Sequence, residues 1–183
     1  MKEDKIKWCL KQNKGIKLIE LKPHLSESYV KEADETLENV FSAKGKWKLI
    51  TAYYACYNAF YALLMRCGIR CEIHDCSLEL MELFGFDIDE TEYLKKLKGD
   101  RIQAQYYLKN IVLEDESNVK KFILKCKTLL SGLDSEKIEK IRTKLSKVKV
   151  HRVIKRLEQL KIVNKYPYGV TNKIKLEKEI YKK

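Results

Sequence analysis

Cys67, Cys71, His74 and Cys76 place four soft potential metal ligands within ten residues. Side chains of this kind hold zinc when they close a tetrahedron around it. Their spacings match no standard structural zinc site, and Cys67 stands beside Gly68, a helix-ending residue. The cysteines therefore read as small apolar fillers, with His74 hydrogen-bonding near the start of a short helix. No metal and no cofactor is expected. All six cysteines (Cys9, Cys56, Cys67, Cys71, Cys76 and Cys126) lack a regular framework, and Met1-Lys-Glu-Asp-Lys5 opens without an apolar signal segment. Reduced thiols and a cytoplasmic location are the corresponding expectation.

Charge points to a second candidate chemistry. Residues 1–133 hold 22 Lys and Arg against 20 Asp and Glu, whereas residues 134–183 hold 16 against 6. Nearly all of the net +12 thus lies in the last fifty residues. A near-neutral body with a basic end suits nucleic acid or another acidic surface. A solvated Lys/Glu helix surface would give the same count.

The elements that would position these groups are mostly helices. Two prolines and seven glycines in 183 residues leave few breaks. Tyr29, Ala33, Leu37, Val40 and Phe41 give one apolar stripe on a helix over 25–41, capped by Ser26 or Ser28. The next helix, 47–66, is apolar on two faces. Ile50, Tyr54, Tyr57, Tyr61 and Leu64 line one, and Ala52, Ala55, Ala59 and Ala62 the other. Such a helix belongs in the centre of a bundle. Its uncharged run, Leu49 to Met65, is shorter than a membrane span and contains Asn58 and Thr51. No membrane partner is expected. Asp75 caps a short helix over 76–84. Further helices cover 91–112, bent or broken near Gly99, and 118–132. Beyond a boundary at 132–135, helices over 136–145 and 148–163 precede a hairpin over 164–176 that turns at Tyr166-Pro-Tyr-Gly169.

Four stretches in order carry a family resemblance: Trp8-Cys-Leu-Lys-Gln12, Ala52-Tyr-Tyr-Ala-Cys-Tyr-Asn-Ala-Phe-Tyr-Ala-Leu-Leu64, Gly68-Ile-Arg-Cys-Glu-Ile-His74 and Arg101-Ile-Gln-Ala-Gln-Tyr-Tyr107. Together they resemble the archaeal-type branch of the HEPN domain family over about residues 6–145. The resemblance implies an all-α, up-and-down bundle of four or five helices over residues 1–133 that forms a homodimer. It implies work on RNA or nucleotides and pairing with a minimal nucleotidyltransferase as a toxin–antitoxin couple. Active members carry Arg followed four to six residues later by His, and cut RNA without a metal. Here Arg101 is followed by Tyr106 and Tyr107. Tyrosine, with a pKa near 10, is a poor general base at pH 7. An Arg–Tyr pair can still grip phosphate and stack on a base. Arg101, Tyr106 and Tyr107 are thus candidate RNA or nucleotide contacts. The alternative for Arg101 is an ion pair near Asp100 or with Glu32, Asp34 or Glu35.

The segment from Leu145 to Val163 looks like the recognition helix of a winged helix-turn-helix. Ser146 would cap it, and Lys149, His151, Arg152, Lys155 and Arg156 would supply charge. Val150, Val153, Ile154, Leu157, Leu160 and Val163 would face a core, and residues 164–176 would be the wing. Lys149, Arg152, Lys155 and Arg156 are the candidate nucleic-acid contacts. The alternative is a basic helical extension. The sequence therefore reads as a binding module without cleavage activity, whose partners are RNA or DNA and a nucleotidyltransferase. A metal-free ribonuclease toxin and a DNA-binding regulator are the competing readings.

Overall fold

The computed structural model describes residues 3–168 and 171–176. It is mostly helical. The described elements are α1 (Glu3–Cys9), β1 (Lys17–Leu18), α2 (Pro23–Ser42), α3 (Lys46–Arg66), β2 (Ile69–Arg70), α4 (His74–Leu78), a 3₁₀ turn (Met81–Phe84), α5 (Ile88–Tyr106), α6 (Glu116–Ser131), α7 (Ser135–Gln159), β3 (Val163–Tyr168) and β4 (Thr171–Leu176). Among these helices none is long and apolar enough to cross a membrane. The chain forms two compact units, residues 1–142 and 143–183, with the division inside α7.

In the first unit α3 is central, and α2, α5 and α6 all pack on it. Fourteen of its residues are buried, including the alanine face and, apart from half-buried Tyr54, the tyrosine face that the sequence marks. The alanines let α2 approach closely. Ser26, buried on α2, donates its hydroxyl to the Ala62 carbonyl at 2.8 Å, which ties the two helices together. Ser26 and Ser28 therefore do not cap α2. Pro23 opens that helix instead, because its fixed φ suits the first helical position and its missing N–H has no intrahelical partner to lose. Phe41 departs from the inward stripe. It is largely exposed, with the Lys120 ammonium 4.4 Å from its ring centre.

The end of α3 is held by a long-range contact. The Nη1 of Arg142 donates to the carbonyls of Ile19 (3.0 Å), Cys67 (2.7 Å) and Gly68 (3.2 Å). Gly68 has φ +62°, and a Cβ there would come within 2.6 Å of the Ile19 carbonyl. β1 and β2 pair antiparallel beside it.

Several local expectations are corrected. Asp75 does not cap α4, whose N-cap is Ile73. Its carboxylate pairs with Lys98 at 2.5 Å instead. α5 begins three residues before Thr91, through a capping box in which Asp87 and Glu90 satisfy each other's backbone N–H. It runs unbroken through Gly99, which faces open space. A mid-helix glycine costs only about 1 kcal/mol relative to alanine, and buried Leu94, Leu97 and Ala104 hold the helix on either side. It stops at Tyr106, well short of Val112. Cys9 and Cys76 are joined in a disulfide with Cα atoms 5.5 Å apart, contrary to the reduced-thiol expectation. The bond fastens α1 to α4. Cys56, Cys67, Cys71 and Cys126 are free and buried.

The second unit contains the rest of α7 and the β3–β4 hairpin. The expected two helices over 136–145 and 148–163 are one helix, Ser135–Gln159. No proline or glycine interrupts residues 135–159, and the proposed cap Ser146 lies mid-helix. The turn of a helix-turn-helix is therefore absent at this place. The hairpin forms, with Val163 opposite Leu176 and Tyr168 opposite Thr171. Tyr166 and Pro167 belong to β3 rather than to the turn. Val163 is buried and Ile154 and Leu157 are half-buried, but Val150, Val153 and Leu160 are exposed, so the expected apolar face of this helix is covered only in part.

Candidate functional site

Arg101 lies on the face of α5 that meets α3. Its Nη2 donates to the Tyr54 hydroxyl. Its guanidinium carbon sits 5.5 Å from the Tyr53 ring centre, 5.1 Å from Tyr54 and 5.5 Å from Tyr106. Among the described residues no carboxylate comes within ion-pair distance of it. Asp34 is engaged by Lys127 at 2.6 Å and Glu35 by Lys31 at 3.5 Å. The Nε of Arg101 is buried with no hydrogen-bond partner, as is Oε1 of Gln105 one turn later. Aromatic faces stabilise such a cation through their quadrupoles without neutralising it. The charge of Arg101 therefore remains available for an anion.

Of the three residues named from sequence, the structure brings Arg101 and Tyr106 together. Tyr106 is 64% exposed and Tyr107 66% exposed. Tyr107 is the C-cap of α5 and makes no ring contact with Arg101. Leu108, exposed beside them, has φ +55°, an uncommon conformation for a non-glycine residue that turns the chain away from the helix axis.

Four further groups join the site that sequence reasoning had not placed there. Lys98, one turn before Arg101, bridges to Asp75. Tyr53 and Tyr54 come from α3, where the sequence signal was that of core packing alone. His74 comes from α4. Its Nδ1 lies 2.5 Å from the Tyr53 hydroxyl. Its ring stacks on Tyr57 with centroids 4.1 Å apart and planes within 3°. Ser77 donates to the His74 carbonyl at 2.8 Å, so its oxygen accepts from the Tyr57 hydroxyl at 3.0 Å. Burial, then the positive charges of Arg101 and Lys98, push the His74 pKa down, while Asp75 opposes them. Burial pushes the Tyr53 phenol well up. A neutral imidazole and an un-ionised phenol therefore stand beside the guanidinium near neutral pH.

Cys67, Cys71, His74 and Cys76 do not converge as a ligand set. Cys76 is bonded to Cys9, and the Cys71 thiol donates to the Ile73 carbonyl at 3.4 Å. Among the described residues no group of three metal-ligating side chains is found. In the second unit Lys149, Arg152, Lys155 and Arg156 fall on α7. Lys155 is exposed, and the side chains of the other three lie outside the described set. Compared with known proteins, the chain matches no family model and no curated protein.

Proposed function

We propose that the chain is a HEPN-like homodimeric binding module that takes a phosphate of RNA or of a nucleotide at Arg101 and does not cut it. The observation that carries this reading is a guanidinium with no carboxylate partner among the described residues, laid against the rings of Tyr53, Tyr54 and exposed Tyr106. Arginine supplies the phosphate contact, and the tyrosines offer faces on which bases stack. The absence of histidine at 106 and 107 removes the general base of the active family pattern. The basic segment 134–183 adds sequence-independent affinity for nucleic acid. A minimal nucleotidyltransferase is the protein partner this reading assigns, in a toxin–antitoxin setting.

Titration of a labelled single-stranded RNA measures the claim. Arg101→Ala should weaken binding by about tenfold or more, since hydrogen bonds to charged groups are worth about 1.5–3 kcal/mol. Affinity should fall with salt by a log–log slope of about −0.7 per phosphate neutralised. Arg152→Glu with Arg156→Glu should reduce that slope while leaving the fold intact. Unchanged affinity in Arg101→Ala refutes the reading. So does RNA cleavage by the wild type that the same substitution abolishes.

A further inference from the structure

His74 is separated from Arg101 by 27 positions in sequence, yet both touch Tyr53, one at its hydroxyl and the other over its ring. We infer that His74 is a second anchoring group of the Arg101 site, held by the Tyr53 phenol as a fixed Nε2–H donor toward a phosphate oxygen. This rests on the reading of Arg101 as a phosphate contact.

The tautomer follows from hydrogen-bond accounting. Tyr53 is fully buried, and its hydroxyl has one partner, His74 Nδ1. If Nδ1–H donated to the phenol oxygen, the phenol's own proton would be buried with no acceptor. Such an unmet donor costs about 1–3 kcal/mol. With the phenol donating, both the phenol proton and the Nδ1 lone pair are satisfied, and the imidazole proton resides on Nε2. That nitrogen has no protein partner among the described residues and is not enclosed among the buried unpaired atoms. The flat stack on Tyr57 fixes the plane of the ring, and the Ser77 contacts hold α4 beneath it. Tyr53 and Tyr57 are thus positioning residues, and His74 would be the group that touches ligand.

The same accounting limits what His74 can do. Its Nδ1 lone pair is taken by Tyr53 and its Nε2 carries the proton. No lone pair is left to accept a proton from a ribose hydroxyl. The histidine that the late helix lacks is present in space, but in an orientation that donates to an anion rather than activating a nucleophile. The ligand chemistry is a phosphate with acceptor oxygens for both Arg101 and His74, whether on a free nucleotide or within a strand.

Two measurements on the full chain test this. Long-range ¹H–¹⁵N correlation at pH 7.5 reports the tautomer of His74 in the unliganded wild type. The Nε2–H form is expected, and an Nδ1–H form overturns the inference whatever the ligand. Binding is then measured with inorganic phosphate, AMP and a short single-stranded RNA. His74→Ala should weaken the tightest of these by about tenfold, and His74→Gln, which keeps a side-chain N–H, should recover most of the loss. AMP binding as tight as RNA identifies a nucleotide site, and binding of RNA alone identifies a phosphodiester site. Either supports the inference if His74→Ala loses it. If Arg101→Ala loses binding and His74→Ala does not, the inference falls and the Arg101 reading stands. If no probe binds the wild type, or neither substitution matters, both fall. Should the variants fail to fold by circular dichroism, the wild-type Nε2–H resonance must still move on adding the probe, and a stationary resonance overturns the assignment.

Discussion

The two compact units bury their described apolar residues to different degrees. In the first, α3 buries two-thirds of its length among α2, α5 and α6, and charged residues meet in specific pairs such as Lys127–Asp34 and Lys5–Glu79. In the second, Val150, Val153, Leu160 and Ile174 are all 44–56% exposed, in a segment where basic residues far outnumber acidic ones. A bundle core that consumes its hydrophobic residues gains stability. Apolar side chains left in solvent add little stability and keep surface for interaction. The difference teaches that the Arg101 site stands on a well-packed frame, whereas among the described residues the basic end buries few apolar side chains, Leu145 and Val163 among them. It also locates the division inside α7, after Arg142, rather than at the glycine before it.

The comparison is most easily broken by truncating one apolar side chain in each unit. Phe60, fully buried on α3 and edge-on to Phe84 and Phe86, should cost about 3–5 kcal/mol as Phe60→Ala. Val153→Ala, at an exposed site, should stay within about 0.5 kcal/mol. Denaturant unfolding measures both, and equal losses would abolish the distinction. The disulfide is next in size. Cys9 and Cys76 are 67 residues apart, and replacing both by Ser should remove about 2–4 kcal/mol. If the melting temperature of the double variant matches that of the wild type, the bond contributes nothing to the first unit.

The boundary itself can be sharpened through Arg142. Losing its three carbonyl contacts as Arg142→Ala should cost about 1.5–3 kcal/mol. A chain ending at residue 131 should be less stable than one ending at 145, because only the longer one keeps Ile138, Ile141 and Arg142. Equal stability of the two would place the division at the glycine after all.

The smallest effect concerns alkaline pH. Burial pushes the Cys67 thiol up to about 12 and the Cys71 thiol up to about 11, from an ordinary value of 9.0. Between those values the folded chain binds more protons than the unfolded chain. Their contribution is complete below about pH 9 and is lost as pH rises above it. Stability measured at pH 7, 8, 9 and 10 should be level at first and then decline. Burial also pushes the Cys56 and Cys126 thiols up, so replacing Cys67 and Cys71 by Ala should reduce that decline without abolishing it, and a profile identical to wild type would show that these two thiols do not contribute to it.

The sequence by itself determined the features that rest on local pattern. The two-faced apolar run of α3, the helix-ending Gly68, the C-terminal hairpin and the concentration of charge beyond residue 133 could all be read from residue types and their order alone. Even there, neighbouring cues competed. Gly99 looked like a break because a helix-breaking residue carries no record of the packing that overrides it, and Asp75 looked like a cap because nothing nearby in sequence reveals Lys98 across the fold. Only the tertiary structure decided what meets Arg101. It brought Tyr54 and Tyr53 from α3, Lys98 from its own helix, and His74 from a five-residue helix that no periodicity marks. It likewise joined Cys9 to Cys76 and carried Arg142 back to the end of α3. Periodicity encodes which face of an element is apolar, whereas the partner of a polar side chain is set by the folding of distant segments onto one another, and that is written in no single stretch of chain.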